Sequence, residues 1–521
     1  PYAKWFVGGK INASVNALDR HVAAGRGDRV AFHFEGEPGD TRTITYAQML
    51  ADVSKAAHAL TQIGIKAGDR VALLTKNRAE FYELLIACSK VGAILVGLNW
   101  RLAAIEIEAI VADAQPTVVF LGPDEQHLLN DKARSSNPLM KVIVFGNDYT
   151  NWRSQNDLDT GHVGQPDDVA LLLYTSGTTG LPKGVMLTNA NMAFTRRLGE
   201  TWGMGPDSVN LVAMPMFHVG GTGYGSSTML QGGHTVLMRE VNAAVAIDLI
   251  ARYRVTHTFF VPAVVQLLLL SPGIEKADLS SLQLLMYGAS PIGDVLLRQA
   301  LDVLKCNFMQ AYGMTETAGT VLDLPPKDHA LEGPRSGLLK SCGRAYPWVE
   351  LRIIDPTTLN DVKTGEVGEI WLKSGMVMKG YWNKPEATAE TIMPGGWLRT
   401  GDAAYQDADG YVYMFDRFKD MIISGGENIY PAEVENAMNA HPAVKEVGVI
   451  GIPHSRWGET PMAVVVLRDG QIASPADLIA FTRDRLAHYK CPTSVVIANE
   501  LPRNASGKLL KRELRKIYLK D

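Results

Sequence analysis

The segment YTSGTTGLPKG, Tyr174 to Gly184, sets Gly177 and Gly180 among the hydroxyls of Thr175, Ser176, Thr178 and Thr179 and closes on one lysine, Lys183. Glycines that accept positive φ let backbone N–H groups converge on an anion, and surrounding hydroxyls and an ammonium complete a phosphate cradle. The pattern is not the G-x-x-x-x-G-K-[ST] loop, because Lys183 follows Pro182 and precedes Gly184. Pro182 disfavours a helical Leu181, so no helix is expected to start inside the loop. A Gly/Ser/Thr stretch taken alone is most often a surface connector. Here it directly follows the apolar run VALLL, which places it at a strand end.

The elements that must position this loop are legible around it. Thr45 and Gln48 form a capping box ahead of Leu50, Val53, Ala57 and Leu60, whose spacing marks an amphipathic helix. A strand at VALL (71–74), a helix over AEFYELLIACSKVGA and the runs AILVGL, TVVFL and KVIVF follow, an alternation that predicts parallel βαβ units. The second half repeats it with VNLVAMP, HTVLM, a helix over 243–253, VTHTFFVP, LQLLMYGAS, a helix near 294–304 and CNFMQAYGMTE. Ligands of open α/β sheets bind beyond the carboxyl ends of strands, so the polar turns ending these runs are candidates for one cleft. Residues 349–373 predict a small β region. The charged, glycine-rich stretch from DRFKD onward opens a second, small α+β domain near residue 419. The expected fold class is therefore α/β, with a large N-terminal domain of parallel α/β sheets (1–418) and a small C-terminal domain (419–521).

Composition narrows the function. Among 521 residues, Lys+Arg 51 against Asp+Glu 55 gives a net charge of −4, which offers no electrostatic reason for a nucleic-acid partner. Cys88, Cys306, Cys342 and Cys491 lie far apart, signal neither zinc nor a disulfide framework, and suit a reducing, cytoplasmic setting. The apolar run VPAVVQLLLL is too short for a transmembrane segment, and PYAKWFVGGK lacks a signal-peptide core. The absence of an initial Met leads us to expect an upstream start. Oligomeric state is left open, a homodimer included.

The opening segment resembles the signature loop of the adenylate-forming (ANL) superfamily, in its acyl-CoA synthetase and fatty-acid CoA ligase branch. Further matches follow in that family's order: MPMFHVGG (214–221), MYGASPI (286–292), QAYGMTETAG (310–319), WLRTGD (397–402), DRFKDMIISGGENIYPAEVE (416–435) and PRNASGKLLKREL (502–514). The resemblance implies attack of a carboxylate on the α-phosphate of MgATP to give an acyl-adenylate and pyrophosphate, then attack by the thiol of coenzyme A. It places the β- and γ-phosphates in the loop 175–183, with Thr175 and Thr179 as donors. Glu316 becomes the Mg²⁺ ligand, and Thr315 a contact to the α-phosphate. Tyr312 lies against adenine, bordered by Gly288, Ala289 and Ser290, while Asp402 and Arg417 face the ribose. Lys508 is expected to bridge carboxylate and α-phosphate from the small domain, and His218 to sit beside the reacting carboxylate. The C-terminal domain is expected to be mobile about a hinge at Lys419, bringing Ser424, Gly425 and Gly426 to the pantetheine tunnel.

Gly220, Gly221, Tyr224, Val261, Gly313 and Met314 are the expected acyl-pocket residues. The smallest-substrate relatives carry a tryptophan where this chain has Gly313. A medium- or long-chain fatty acid is therefore the expected substrate, with aryl or short-chain acids as the alternative. A carrier-loading module, a luciferase-like oxygenase and a non-catalytic nucleotide binder are the remaining readings. The chain runs only seven residues beyond Leu514, which weighs against an attached carrier domain. The retention of Lys183, Glu316, Asp402 and Lys508 together weighs against the non-catalytic one. Lys508→Ala should nearly abolish pyrophosphate release from ATP and acid while leaving thioester formation from supplied acyl-adenylate largely intact. Equal loss of both would assign Lys508 a folding role.

Overall fold

The capping box forms at the expected place. The Thr45 side chain accepts from the Gln48 N–H, the Gln48 side chain accepts from the Thr45 N–H at 2.8 Å, and the helix Tyr46–Gln62 runs from there. This computed structural model describes residues 12–36, 40–176, 182–289, 292, 294–417, 422–429, 431–502 and 511–519.

The two βαβ series build two sheets. The strand Arg70–Leu74 lies central in a seven-stranded sheet, between Ile94–Leu98 and Val118–Leu121, with Val169–Ser176 next to Ile94–Leu98. The second series gives a nine-stranded sheet whose middle runs Asn307–Met314, Leu284–Gly288, His257–Phe260, Val209–Val212, His234–Met238. Neighbours in these central stretches pair in parallel, so within each sheet their carboxyl ends share one side. The segment after Pro182 is a strand, Pro182–Thr188, antiparallel to Val169–Ser176. The apolar run at 261–270 becomes the helix Pro262–Leu269, with Val264, Val265 and Leu268 buried.

Two smaller sheets complete the described residues. One joins Glu350–Ile354, Gly368–Lys373, Trp397–Gln406, Ile392–Met393 and Val412–Arg417, wholly antiparallel. The other, in the small C-terminal domain, contains Ile422–Ser424, Glu427–Ile429, Val444–His454, Gly458–Leu467 and Ser494–Ile497. That domain has an apolar core of its own around Ile422, Val434, Met438, Val449 and Val465. Among the described residues, no helix is long and apolar enough to cross a membrane.

One buried side chain ties the two large sheets together beneath the cleft. Asn77, just past the strand Arg70–Leu74, donates to the carbonyls of Met214 (3.0 Å) and Met238 (3.1 Å) and accepts from the Met216 N–H (2.9 Å). It thereby fixes the MPMFH segment that ends on His218. Asn77→Ala strips buried backbone groups of their partners and should cost roughly 2–4 kcal/mol, read as a lower urea midpoint; an unchanged midpoint would show that the segment is held otherwise.

Candidate active site

A hairpin supplies the centre of the site. The strand Asn307–Met314 ends in a 3-10 turn, Thr315–Thr317, and returns as Gly319–Leu324, with an irregular register at Tyr312 and Gly313. The Tyr312 hydroxyl donates to Asp402 Oδ2 at 2.8 Å. Burial, and then the Asp402 charge, push that phenol well above its usual value, so it stays a donor. The strand Trp397–Gln406, which carries Asp402, is held by buried Glu369, which accepts from the Gly401 N–H, Arg399 and the Trp371 indole. Ala289, beside Gly288 at the end of the neighbouring strand, adopts φ 66°, a conformation costing about 1–2 kcal/mol outside glycine and of the kind that clusters at binding sites.

Glu316 is buried in the turn of this hairpin and accepts from the Tyr381 hydroxyl at 2.9 Å. The ammonium of Lys183 sits 4.9 Å from the centre of the same tyrosine ring, so the lysine of the opening segment and the acid of YGMTE meet through one aromatic. Burial raises the Glu316 carboxyl; its own backbone N–H, Tyr381 and Lys183 pull the other way. A carboxylate in that state gains from a nearby cation. No group of three or more His, Cys, Asp or Glu suited to a metal occurs among the described residues.

Across the cleft the small domain reaches in. Glu427 accepts from Arg101 at 2.8 Å and lies 3.2 Å from His218 Nε2. Burial alone would raise this carboxyl, but the charges and hydrogen bonds of His218 and Arg101 hold it at about 2. The adjoining Gly426, at φ 83°, rests on Val261, where even a methyl group would sit 3.0 Å from the side chain. Gly425 likewise packs on Trp457.

These parts border one continuous cavity of about 1290 Å³. It takes in Thr175, Gly288, Ala289, Tyr312, Thr315, Glu316, Asp402 and His218, and also Gly220, Tyr224, Val261, Gly313, Met314, Gly425 and Gly426. Trp202, Tyr224 and Phe259 wall one end, with ring centres 5.5 and 5.9 Å apart in that order. The Trp202 indole N–H is pinned to the Tyr346 hydroxyl at 3.0 Å. Sequence reasoning missed Arg101, Trp202, Phe259 and the pairing of Glu427 with His218; the ISGGEN segment was the one signal for the last.

Two expectations need correction. Gly221 does not line the cavity: a Cβ there would lie 2.2 Å from the Pro215 carbonyl oxygen, so it serves a close helix start. Ser424 also lies off the cavity wall, although its neighbours line it. Gly313 lines the cavity, yet a Cβ would meet the Gly319 carbonyl oxygen at 2.0 Å. Its first requirement is therefore the approach of two strands, beyond any opening of the pocket. Gly177, Thr178, Thr179, Gly180, Ser290, Lys419 and Lys508 lie outside the described residues, as do the side chains of Ser176 and Arg417.

A tyrosine near one strand end paired with an aspartate inside the strand Trp397–Gln406, a buried acid beside a lysine and a cleft shared by two domains fit a nucleotide-using α/β enzyme. The chain belongs to the AMP-binding enzyme family, whose profile matches residues 19–382, with the AMP-binding enzyme C-terminal domain matching 433–508; it is an adenylate-forming, acid–thiol ligase of the acyl-CoA synthetase branch. It is 39% identical over 507 residues to the fatty acid–[acyl-carrier-protein] ligase ScoC of Streptomyces coeruleorubidus, covering 94% of this chain and 96% of that protein. It is 40% identical over 478 residues to a feruloyl-CoA synthase of Amycolatopsis sp, covering 91% and 94%. A solved double mutant of the o-succinylbenzoate CoA synthetase MenE from Bacillus subtilis, bound with its product analogue OSB-NCoA, superposes with a TM-score of 0.85 at 30% identity over 98% of this chain and 99% of that one. ATP-bound MatB from Rhodopseudomonas palustris gives 0.71 at 31% identity over 98% and 99%.

Gly313→Ala should lower the melting temperature and weaken both half-reactions together. A variant with native melting behaviour and only a narrowed acid range would assign Gly313 to the pocket alone.

Proposed function

We propose that the protein joins a ring-bearing carboxylic acid to coenzyme A through an acyl-adenylate formed from ATP with Mg²⁺. The single observation carrying this reading is the aromatic end of the cavity, Trp202, Tyr224 and Phe259, opening onto the Tyr312–Asp402 pair. Adenine would lie along Tyr312, and the Asp402 carboxylate would accept from the ribose hydroxyls. Glu316 would hold Mg²⁺, which supplies neutralisation of phosphate charge when bound. Carboxylate and α-phosphate repel, so the remaining need is for cations and N–H donors that position them. In this reading Lys183, Thr315, the segment 175–181 and Lys508 meet that need.

The thiol would enter beside Gly425, Gly426 and Trp457, with the small domain, residues 419–521, turning about Lys419 between the two steps. The four cysteines form no disulfide, and we place the enzyme in the reducing cytoplasm.

The second reading is a medium- or long-chain fatty acid, favoured by the apolar lining from Leu198, Val264 and Leu267 and by the likeness to the fatty acid ligase. Aromatic pairs add about 0.5–1.5 kcal/mol beyond burial, so a hydroxycinnamic acid should exceed octanoic acid in kcat/KM roughly three- to tenfold. A panel of acids assayed for CoA thioester with ATP and Mg²⁺ decides it. Preference for octanoate or a longer chain would select the second reading, and preference for acetate would sink both.

A further inference from the structure

The large and small domains meet through a second ionic cluster that the reaction chemistry does not use. Glu106, on the helix Ala104–Ala114, is buried, with Oε1 accepting from Lys490 Nζ at 2.8 Å. Its other oxygen, Oε2, accepts from the N–H of Ala103 and from that of Ala487, each at 2.9 Å. Lys490 Nζ also donates to Glu433 Oε1 at 2.6 Å. Lys490 is 3% exposed and Glu433 6%. One member of this triad belongs to the large domain and two to the small, so a rotation of the small domain would part Glu106 from its lysine. Burial pushes the Glu433 carboxyl up to about 7 against the opposing pull of Lys490, with the Glu106 charge adding to the rise. That is the expected strain when two acids share one ammonium.

The triad is one of two ionic contacts made by the short segment 99–106, and they have opposite polarity. Arg101 gives a cation to Glu427 of the small domain, while Glu106 gives an anion to Lys490. Any other rotation would face at least one like or unpaired buried charge, so the pair selects an orientation as well as adding attraction. The orientation selected is the one that seats Gly425, Gly426 and Glu427 on the cavity. The relative bound with its product analogue OSB-NCoA superposes at a TM-score of 0.85, and apo MatB at 0.70. The ATP-bound relative reaches only 0.71 at the same 98% coverage and nearly the same identity, so solved relatives occur in more than one overall arrangement.

From this we infer that Glu106 is a positioning residue: with Lys490 it latches the small domain in the thiol-accepting orientation, supporting thioester formation and leaving adenylation unaided. The inference rests on the proposed two-step reaction. It adds a residue that borders the same cavity, has no role in the chemistry proposed above, and separates the two steps.

Glu106→Gln keeps a side-chain oxygen for backbone N–H groups and removes the charge. Acid-dependent exchange of pyrophosphate into ATP should stay within about twofold of the parent enzyme. Single-turnover thioester formation from supplied acyl-adenylate should fall at least about tenfold, as expected when one partner of a buried pair is removed. Lys490→Met should do the same, and the double variant should lose no more than either single one.

An activity-independent reading comes from spin labels on Leu139→Cys and Ile472→Cys, both strongly exposed, in a Cys306→Ser background. Glu106→Gln should move the interdomain distance distribution away from that of the parent. Equal loss of both half-reactions, or an unchanged thiol step with an unchanged distribution, would overturn the latch. A parent enzyme that makes no adenylate from any acid would instead overturn the functional reading. The distance measurement would still decide whether Glu106 holds the domains.

Discussion

The site depends on Glu427 being held between Arg101 and His218. A carboxylate taken out of water costs several kcal/mol unless it is paired and hydrogen-bonded, and here two cation-capable groups from the large domain provide that pairing. The contact sets the small domain's glycine turn against Val261 and makes the cavity a shared one. It also keeps a negative charge from facing the place where other anions must meet. His218 is thereby oriented by a residue more than two hundred positions away.

The rest of the architecture serves that junction. Within each large sheet parallel pairing brings the carboxyl ends of neighbouring strands to one side, and Asn77 locks the two sheets where MPMFH crosses between them. The antiparallel sheet then presents Asp402 within the strand Trp397–Gln406, where Glu369 accepts from the neighbouring Gly401 N–H and from Arg399. Tyr312 and Glu316 at the cleft are thus each held through a side-chain partner, Asp402 and Tyr381.

Local chemistry was legible in the sequence. The Thr45–Gln48 box and the helix Ala243–Tyr253 stand where the sequence placed them. The YGMTE and RTGD segments could be marked as site-bearing, and the structure brings Tyr312 and Asp402 into contact. What the sequence could not give were pairings made only by folding: Arg101 with Glu427, Glu106 with Lys490, and Trp202 with Tyr346. Nothing in their neighbours distinguishes them from surface charges or an ordinary core indole. Gly221 misled for a related reason, and Gly313 lines the cavity while also meeting a neighbouring strand. A missing side chain signals open space and close backbone approach equally, and here the backbone lies next to both.

The most direct test of one cavity serving acid, nucleotide and thiol is a crystal structure with a non-hydrolysable acyl sulfamate of adenosine. The account predicts adenine along Tyr312, ribose hydroxyls on Asp402 and the acyl group among Trp202, Tyr224 and Phe259. An analogue bound away from Tyr312 and Asp402, or an acyl group directed out of that aromatic end, would contradict it.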